Sequence, residues 1–178
     1  MRLLETERLI LRTLTIEDAD RVEELASEYD IAKTTLNIPH PYPEGSAKTF
    51  IESVLLAEEK DNVAFFAIID KESSSLIGII NLGNIPVHKR GELAYWIGKP
   101  YWGKGYGTEA ANKVIEFGFE QMELNKIFAA SFTDNPGSWR IMEKIGMKHE
   151  GTLRGHVIKW DKSLDLHYYG ILRDEYRK

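Results

Sequence analysis

The chain has 178 residues, 43% of them hydrophobic and 29% charged, with a formal net charge of −5. That length leaves room for one sizeable core, expected as a single domain over residues 1–178. The absence of cysteine excludes a disulfide framework, a thiol nucleophile and a thiolate-held metal, and the acidic balance offers no footprint for nucleic acid. With no long apolar run and acids where a signal peptide would be apolar, the expectation is a cytoplasmic protein with no membrane partner.

Leu9 to Leu14 alternate as a first strand, and Thr15, with Glu17 and Asp18 behind it, opens a helix bearing Ala19, Val22, Leu25 and Ala26 on one face. Asp30 to Gly45 carries Pro39, Pro41 and Pro43 and reads as irregular, long for a connector without a role. Ser46 to Asp61 has helical spacing at Phe50, Ile51, Val54 and Leu55. Val63 to Asp70 and Leu76 to Leu82 pair as a hairpin, and Asn84 to Arg90 reads as an exposed turn. An aromatic strand, Leu93 to Ile97, leads through Gly98–Pro100 to a glycine loop and a helix running through Met122. Lys126 to Thr133 is the next strand. A short helix follows from Ser138 to Ile145, and then two long strands, Met147 to Trp160 and Leu164 to Leu172. The order β-α-α-β-β-β-α-β-α-β-β predicts an α/β fold, a mixed sheet with about four helices on its faces.

The loop organises the rest. Gly103, Gly105 and Gly107 stand at every second position and let backbone N–H groups crowd one concavity. The helix that begins near Tyr106 adds its unpaired amides and positive dipole end, so the site is built for a phosphate or pyrophosphate. Lys104 is followed by Gly105 instead of a hydroxyl residue, which excludes a P-loop. A Rossmann dinucleotide site is a competing reading. Gly105, Gly107 and Ala110 fit its glycine pattern and Asp134 stands where a ribose-binding acid belongs, but the chain after Asp134 is too short for the remaining parallel units.

The loop resembles the acyl-CoA pyrophosphate loop of the GNAT N-acetyltransferases, Q/R-x-x-G-x-G/A, with Trp102 in place of the usual Gln or Arg and Gly105 and Gly107 at the fixed positions. Tyr101-Trp-Gly-Lys-Gly-Tyr-Gly-Thr-Glu-Ala110 is similar to the sub-family of ribosomal-protein N-terminal acetyltransferases. So are Thr6-Glu-Arg-Leu-Ile-Leu-Arg12, the block Asn135 to Met147, and Glu150-Gly-Thr-Leu-Arg154. The resemblance spans nearly the whole chain. It implies a centrally splayed sheet, acetyl-CoA as donor without a metal, and a primary amine as acceptor, either a protein N-terminus or a small molecule. It leaves the assembly as monomer or homodimer.

It also implies roles. Gly103, Lys104, Gly105, Tyr106, Gly107 and Thr108 would hold the pyrophosphate, with Trp102 beside them. Tyr95, Trp96 and Ile97 would pair with the pantetheine arm as an added strand, and a local bulge there would aim an N–H at the thioester carbonyl. Asn135 would bind the carrier backbone. Many family members place a tyrosine where this chain has Met142; the sub-family places a serine where it has Ser138, which would protonate the departing sulfur. Asn and Ser at a helix start are also ordinary caps, so that reading stays open. Glu92, an acid in an apolar strand, is the candidate base. An α-amine is about a tenth neutral at pH 7 and a lysine well under a thousandth, so one glutamate suits the former better. A catalytically silent CoA-binding module of the same fold is the alternative.

Overall fold

Alternating apolar residues build one sheet, and helical stripes cover both its faces. The computed structural model describes residues 2–60 and 63–176. Its strands are β1 (Leu3–Glu5), β2 (Leu9–Arg12), β3 (Val63–Asp70), β4 (Leu76–Ile85), β5 (Arg90–Ile97), β6 (Lys126–Phe132), β7 (Lys148–Lys159) and β8 (Lys162–Leu172). Its helices are α1 (Ala19–Ala26), α2 (Tyr29–Thr34), α3 (Ser46–Glu58), α4 (Tyr106–Glu120), α5 (Pro136–Lys144) and α6 (Arg173–Tyr176). The strands lie in the order β1-β2-β3-β4-β5-β6-β8-β7. All neighbours are antiparallel except β5 and β6.

Two cores follow from strand alternation. On one face Ala110, Ala111, Val114 and Ile115 of α4, with Met142 of α5, bury Leu93, Ile97, Ile127 and Ala129. On the other face Val22 and Leu25 of α1, with Ala47, Ile51 and Val54 of α3, cover Ala67 and Ile79. The parallel pair is short: Arg90 matches Lys126, Gly91 matches Ile127, and Glu92 matches Phe128. Beyond that β5 runs on to Ile97 and β6 to Phe132 without pairing, so the sheet splays in its middle.

Several elements differ from the sequence reading. Six α-helices are present among the described residues where about four were expected. One of the additions is α2, in the stretch expected to be irregular: Ile31 and Ala32 are buried, and the hydroxyls of Thr34 and Thr35 bond back to its carbonyls. Tertiary burial there overrides a weak local signal. β1 is an extra edge strand, and the turn before β5 shrinks to Pro86–Lys89, because β4 and β5 stay paired out to Ile85 and Arg90. Asp61, the expected end of the second helix, lies outside the described residues. A single parallel pair also rules out the Rossmann arrangement, which needs several. No helix among the described residues is long and apolar enough to cross a membrane.

Candidate active site

The glycine loop is held from both ends. After β5, a 3-10 turn at Lys99–Tyr101 reverses the chain, and the Trp102 indole N–H donates to the Ile97 carbonyl at 2.5 Å. Gly103 and Gly105 have φ of 74° and 82°, a region where a Cβ is strained, so the bend between turn and helix depends on them. Gly107 serves packing: a Cβ there would stand 2.8 Å from Ile141 Cδ1, so its absence brings α4 and α5 together. The first amide of α4 to bond back is Glu109, to the Gly105 carbonyl at 3.0 Å. The N–H groups of Tyr106, Gly107 and Thr108 precede it, unpaired and in place for an anion.

Behind the loop lies a network that belongs to the Thr6–Arg12 block. Arg8 donates from Nη1 to the Lys104 carbonyl at 2.9 Å and from Nε to Glu109 Oε2 at 2.7 Å, and its guanidinium covers the Tyr106 ring at 4.5 Å. The Thr6 hydroxyl donates to Glu109 Oε1 at 2.6 Å. The Lys104 ammonium lies over the Tyr101 ring at 5.6 Å, and its side chain does not line the cavity in front of the loop. Arg8 is thus a positive charge bonded directly to the loop's backbone, and Arg140 and Lys144 line the cavity in front of it; sequence reasoning did not single out Arg8 although it stands inside a recognised block.

That cavity, about 470 Å³, is lined by Trp102, Gly103, Gly105, Tyr106, Gly107 and Thr108 at one end and by Tyr95, Trp96, Ile97, Asn135 and Ser138 at the other. β5 and β4 pair in unbroken register from Gly78–Ile97 to Ile85–Arg90, so the expected bulge is absent. The splay does its work instead. The Gly98 N–H donates to Ile77 of β4, so alternation turns the backbone groups of Ile97 and Tyr95 the other way, toward the gap. Past Glu92 no strand takes them up.

Ser138 stands in the first turn of α5, three residues after its N-cap, Asn135. Neither side chain caps the helix. The Ser138 hydroxyl donates to the Tyr95 phenol oxygen at 3.3 Å, and that phenol donates to the Ser138 carbonyl at 2.9 Å. Asn135 Nδ2 donates to the Thr34 carbonyl at 3.3 Å, tying α5 to the end of α2. Burial pushes the Tyr95 phenol up to about 12, so it stays a neutral donor. Met142 is a core residue, 1% exposed.

A second cavity, about 760 Å³, adjoins the first and shares Thr34, Thr35, Tyr95, Trp96 and Ser138 with it. Glu92 lies on its wall, beside the last paired residues of the splay. The side chain keeps access to solvent, yet protein atoms crowd it. Desolvation raises its pKa, and the Arg90 charge opposes this only in part. The proline-rich segment contributes Leu36, Ile38, Pro39 and Tyr42, so it does wall this cavity. His156 and Tyr168, from the β7–β8 hairpin, close it; no local motif marks them, because they arrive by tertiary wrapping. Among the described residues no cluster of His, Asp or Glu could hold a metal.

A profile described as an acetyltransferase (GNAT) domain matches residues 8–148. YnaD of Bacillus subtilis, an uncharacterized N-acetyltransferase, is 34% identical over 96% of this chain and 97% of its own. YdaF of the same organism, a putative ribosomal N-acetyltransferase, is 30% identical over 96% and 94%. The solved structure of the microcin C7 self immunity acetyltransferase MccE in complex with acetyl-CoA and AMP superposes with a TM-score of 0.85, covering 94% of this chain and 93% of that one at 21% identity, a likeness of fold. A splayed sheet with a glycine loop at one mouth of the gap, together with a domain match over most of the chain, makes this protein a member of the GNAT family of N-acetyltransferases.

Proposed function

We propose that the protein transfers the acetyl group of acetyl-CoA to a primary amine, a protein N-terminal α-amine or a small amine, by direct attack in a ternary complex. The observation that carries this reading is the meeting of two cavities across the splay, one beside unpaired helix amides and the other beside Glu92. The amides from Gly103 to Thr108 bind the pyrophosphate, each charged contact worth roughly 1.5–3 kcal/mol. Arg8 fixes those amides from behind, and Lys104 contributes no more than rim charge. The backbone of Tyr95 and Ile97 takes the pantetheine arm as an added strand, and an N–H there polarises the thioester carbonyl. Trp96 and Asn135 line the same channel.

Glu92 takes the proton from the attacking amine, directly or through water; its raised pKa brings a carboxylate closer to the basicity the task needs. The amine nitrogen bonds to the carbonyl carbon, the C–S bond breaks, and the Ser138 hydroxyl hydrogen-bonds the departing sulfur and hands it a proton; the proton taken up by Glu92 returns through water to restore the serine. Residues 1–178 act as one acetyltransferase domain, with no metal required. Free-thiol release from acetyl-CoA with an amine panel, beside calorimetric binding of acetyl-CoA, tests the assignment. Binding with no thiol release from any amine would make the protein a silent CoA-binding module.

A further inference from the structure

The acceptor cavity has a lopsided chemistry. Among the described residues on its wall, Glu92 is the sole carboxylate, and neither lysine nor arginine is present. The face that carries Glu92 is otherwise mostly apolar, its polar exception being Asn81 of β4, paired with Ala94. Trp96 follows on the same side of β5, and Ile79 and Phe65 lie beside it across β4 and β3, with Phe50 of α3 edge-on to Phe65 at 5.9 Å. Across the gap Phe132 and Tyr168 complete the wall. Opposite Glu92 stands Gly83, and two residues along β5 stands Ala94, so the floor next to the carboxylate is low and a bulky group has room there.

Each charge carried into such a space needs a partner. One ammonium finds Glu92, with aromatic faces to support it. A second or third ammonium, as in a polyamine, meets aromatic rings and no further acid. A carboxylate next to the amine, as in a free amino acid, is repelled by Glu92 and meets no lysine or arginine on the wall, only the His156 imidazole and neutral polar groups such as Asn81. An aromatic or branched apolar body meets matching walls. The volume, about 760 Å³, lies in the range of sites that enclose a drug-sized molecule.

Resting on the acetyltransferase reading above, we infer that the acceptor is a singly charged primary amine with an aromatic or branched apolar body and no carboxylate beside the amine. Two sources share this chemistry: a free arylalkylamine, and a chain N-terminus whose first residue is apolar.

The experiment compares four amines at saturating acetyl-CoA, by thiol release, and also titrates each calorimetrically into the CoA-loaded protein. The amines are 2-phenylethylamine, a phenylalanine-initiated tripeptide amide, phenylalanine and spermidine. The expected result is a kcat/KM about 10²-fold higher for 2-phenylethylamine or the peptide than for phenylalanine or spermidine, the scale at which an apolar pocket rejects an added polar group. A lead for the small amine assigns a free amine, and a lead for the peptide assigns an N-terminus. Spermidine or phenylalanine equalling or exceeding both overturns the inference. So does failure of both apolar amines to bind or react while acetyl-CoA binds normally. Apolar amines that bind selectively without turnover leave the inference standing and remove the catalytic reading, and loss of acetyl-CoA binding itself removes the carrier assignment.

Discussion

Replacing Ser138 with alanine separates chemistry from support at the centre of the site. Among the described residues the hydroxyl's one hydrogen bond is to the Tyr95 phenol, long at 3.3 Å. The phenol keeps its donor bond to the Ser138 carbonyl at 2.9 Å, so the substitution orphans no buried donor. The stability loss should sit at the low end of a hydrogen bond's worth, about 0.5 kcal/mol, which is roughly 1–2 °C in melting temperature for a chain of this size. If the hydroxyl serves the departing sulfur, kcat should fall about 10²-fold, equivalent to about 2.7 kcal/mol in the barrier. Inactivity is not expected, because a thiol with pKa near 8.5 is already a fair leaving group. Acetyl-CoA affinity should hold within about twofold, since the contact strengthens as negative charge develops on sulfur. Steady-state kinetics, calorimetry and a melting curve on the same preparation decide the matter. Wild-type turnover in Ser138→Ala would refute the role and leave the serine as a prop for Tyr95.

Glu92→Gln should abolish most activity. In the wild type, kcat/KM should climb with pH through a Glu92 pKa that lies above the ordinary carboxylate value. Because the folded state holds that proton more tightly than the unfolded chain does, stability should fall as pH rises from the ordinary value to the raised one. Glu92→Gln should therefore melt higher than wild type at neutral pH; a lower melting point would contradict the desolvation argument. Gly105→Val should weaken acetyl-CoA binding at least tenfold, and the φ of 82° adds roughly 1–2 kcal/mol of instability, so binding must be measured at a temperature where the variant is folded. Arg8→Ala should raise the KM for acetyl-CoA several-fold with kcat nearly unchanged, and an unaltered KM would mean the loop holds its shape without that side chain. Arg12→Leu leaves Asp18, 7% exposed and gripped through both oxygens, without its partner; roughly 3 kcal/mol should be lost, visible as an earlier urea midpoint.

What the sequence reveals and what it hides divide along physical lines. Val63–Asp70 is readable to the residue because an apolar run between polar turns has one stable use, a buried strand. The loop is readable because its glycines at Gly103 and Gly105 hold dihedrals that other residues avoid. α2 is hidden, since its six residues earn their helix from the burial of Ile31 and Ala32, a tertiary fact. The wall of the second cavity is hidden for the same reason, as His156 and Tyr168 reach it through strands distant in sequence from Glu92. Arg8 lies between: its block is conspicuous, but nothing local says that its guanidinium reaches the Lys104 carbonyl.

The division of labour between the two faces rests on register. Along β5, Leu93, Tyr95 and Ile97 turn toward the α4 core, and Trp96 turns toward the α1–α3 core on the side shared by Glu92. Period-two alternation thereby sends the tyrosine to Ser138 and the acid to the second cavity, although only three positions separate them. A slip of one residue between β4 and β5 would exchange the two sets and place Glu92 under α4. The ladder from Gly78–Ile97 to Ile85–Arg90 prevents it, longer on this side than the three pairs that join β5 to β6 on the other. β4 thus holds β5 rigidly along its whole length while β6 lets go after Glu92. The acid therefore sits at the apex of the gap, where the last shared pair fixes its backbone and the opening to the other face begins at the next residue.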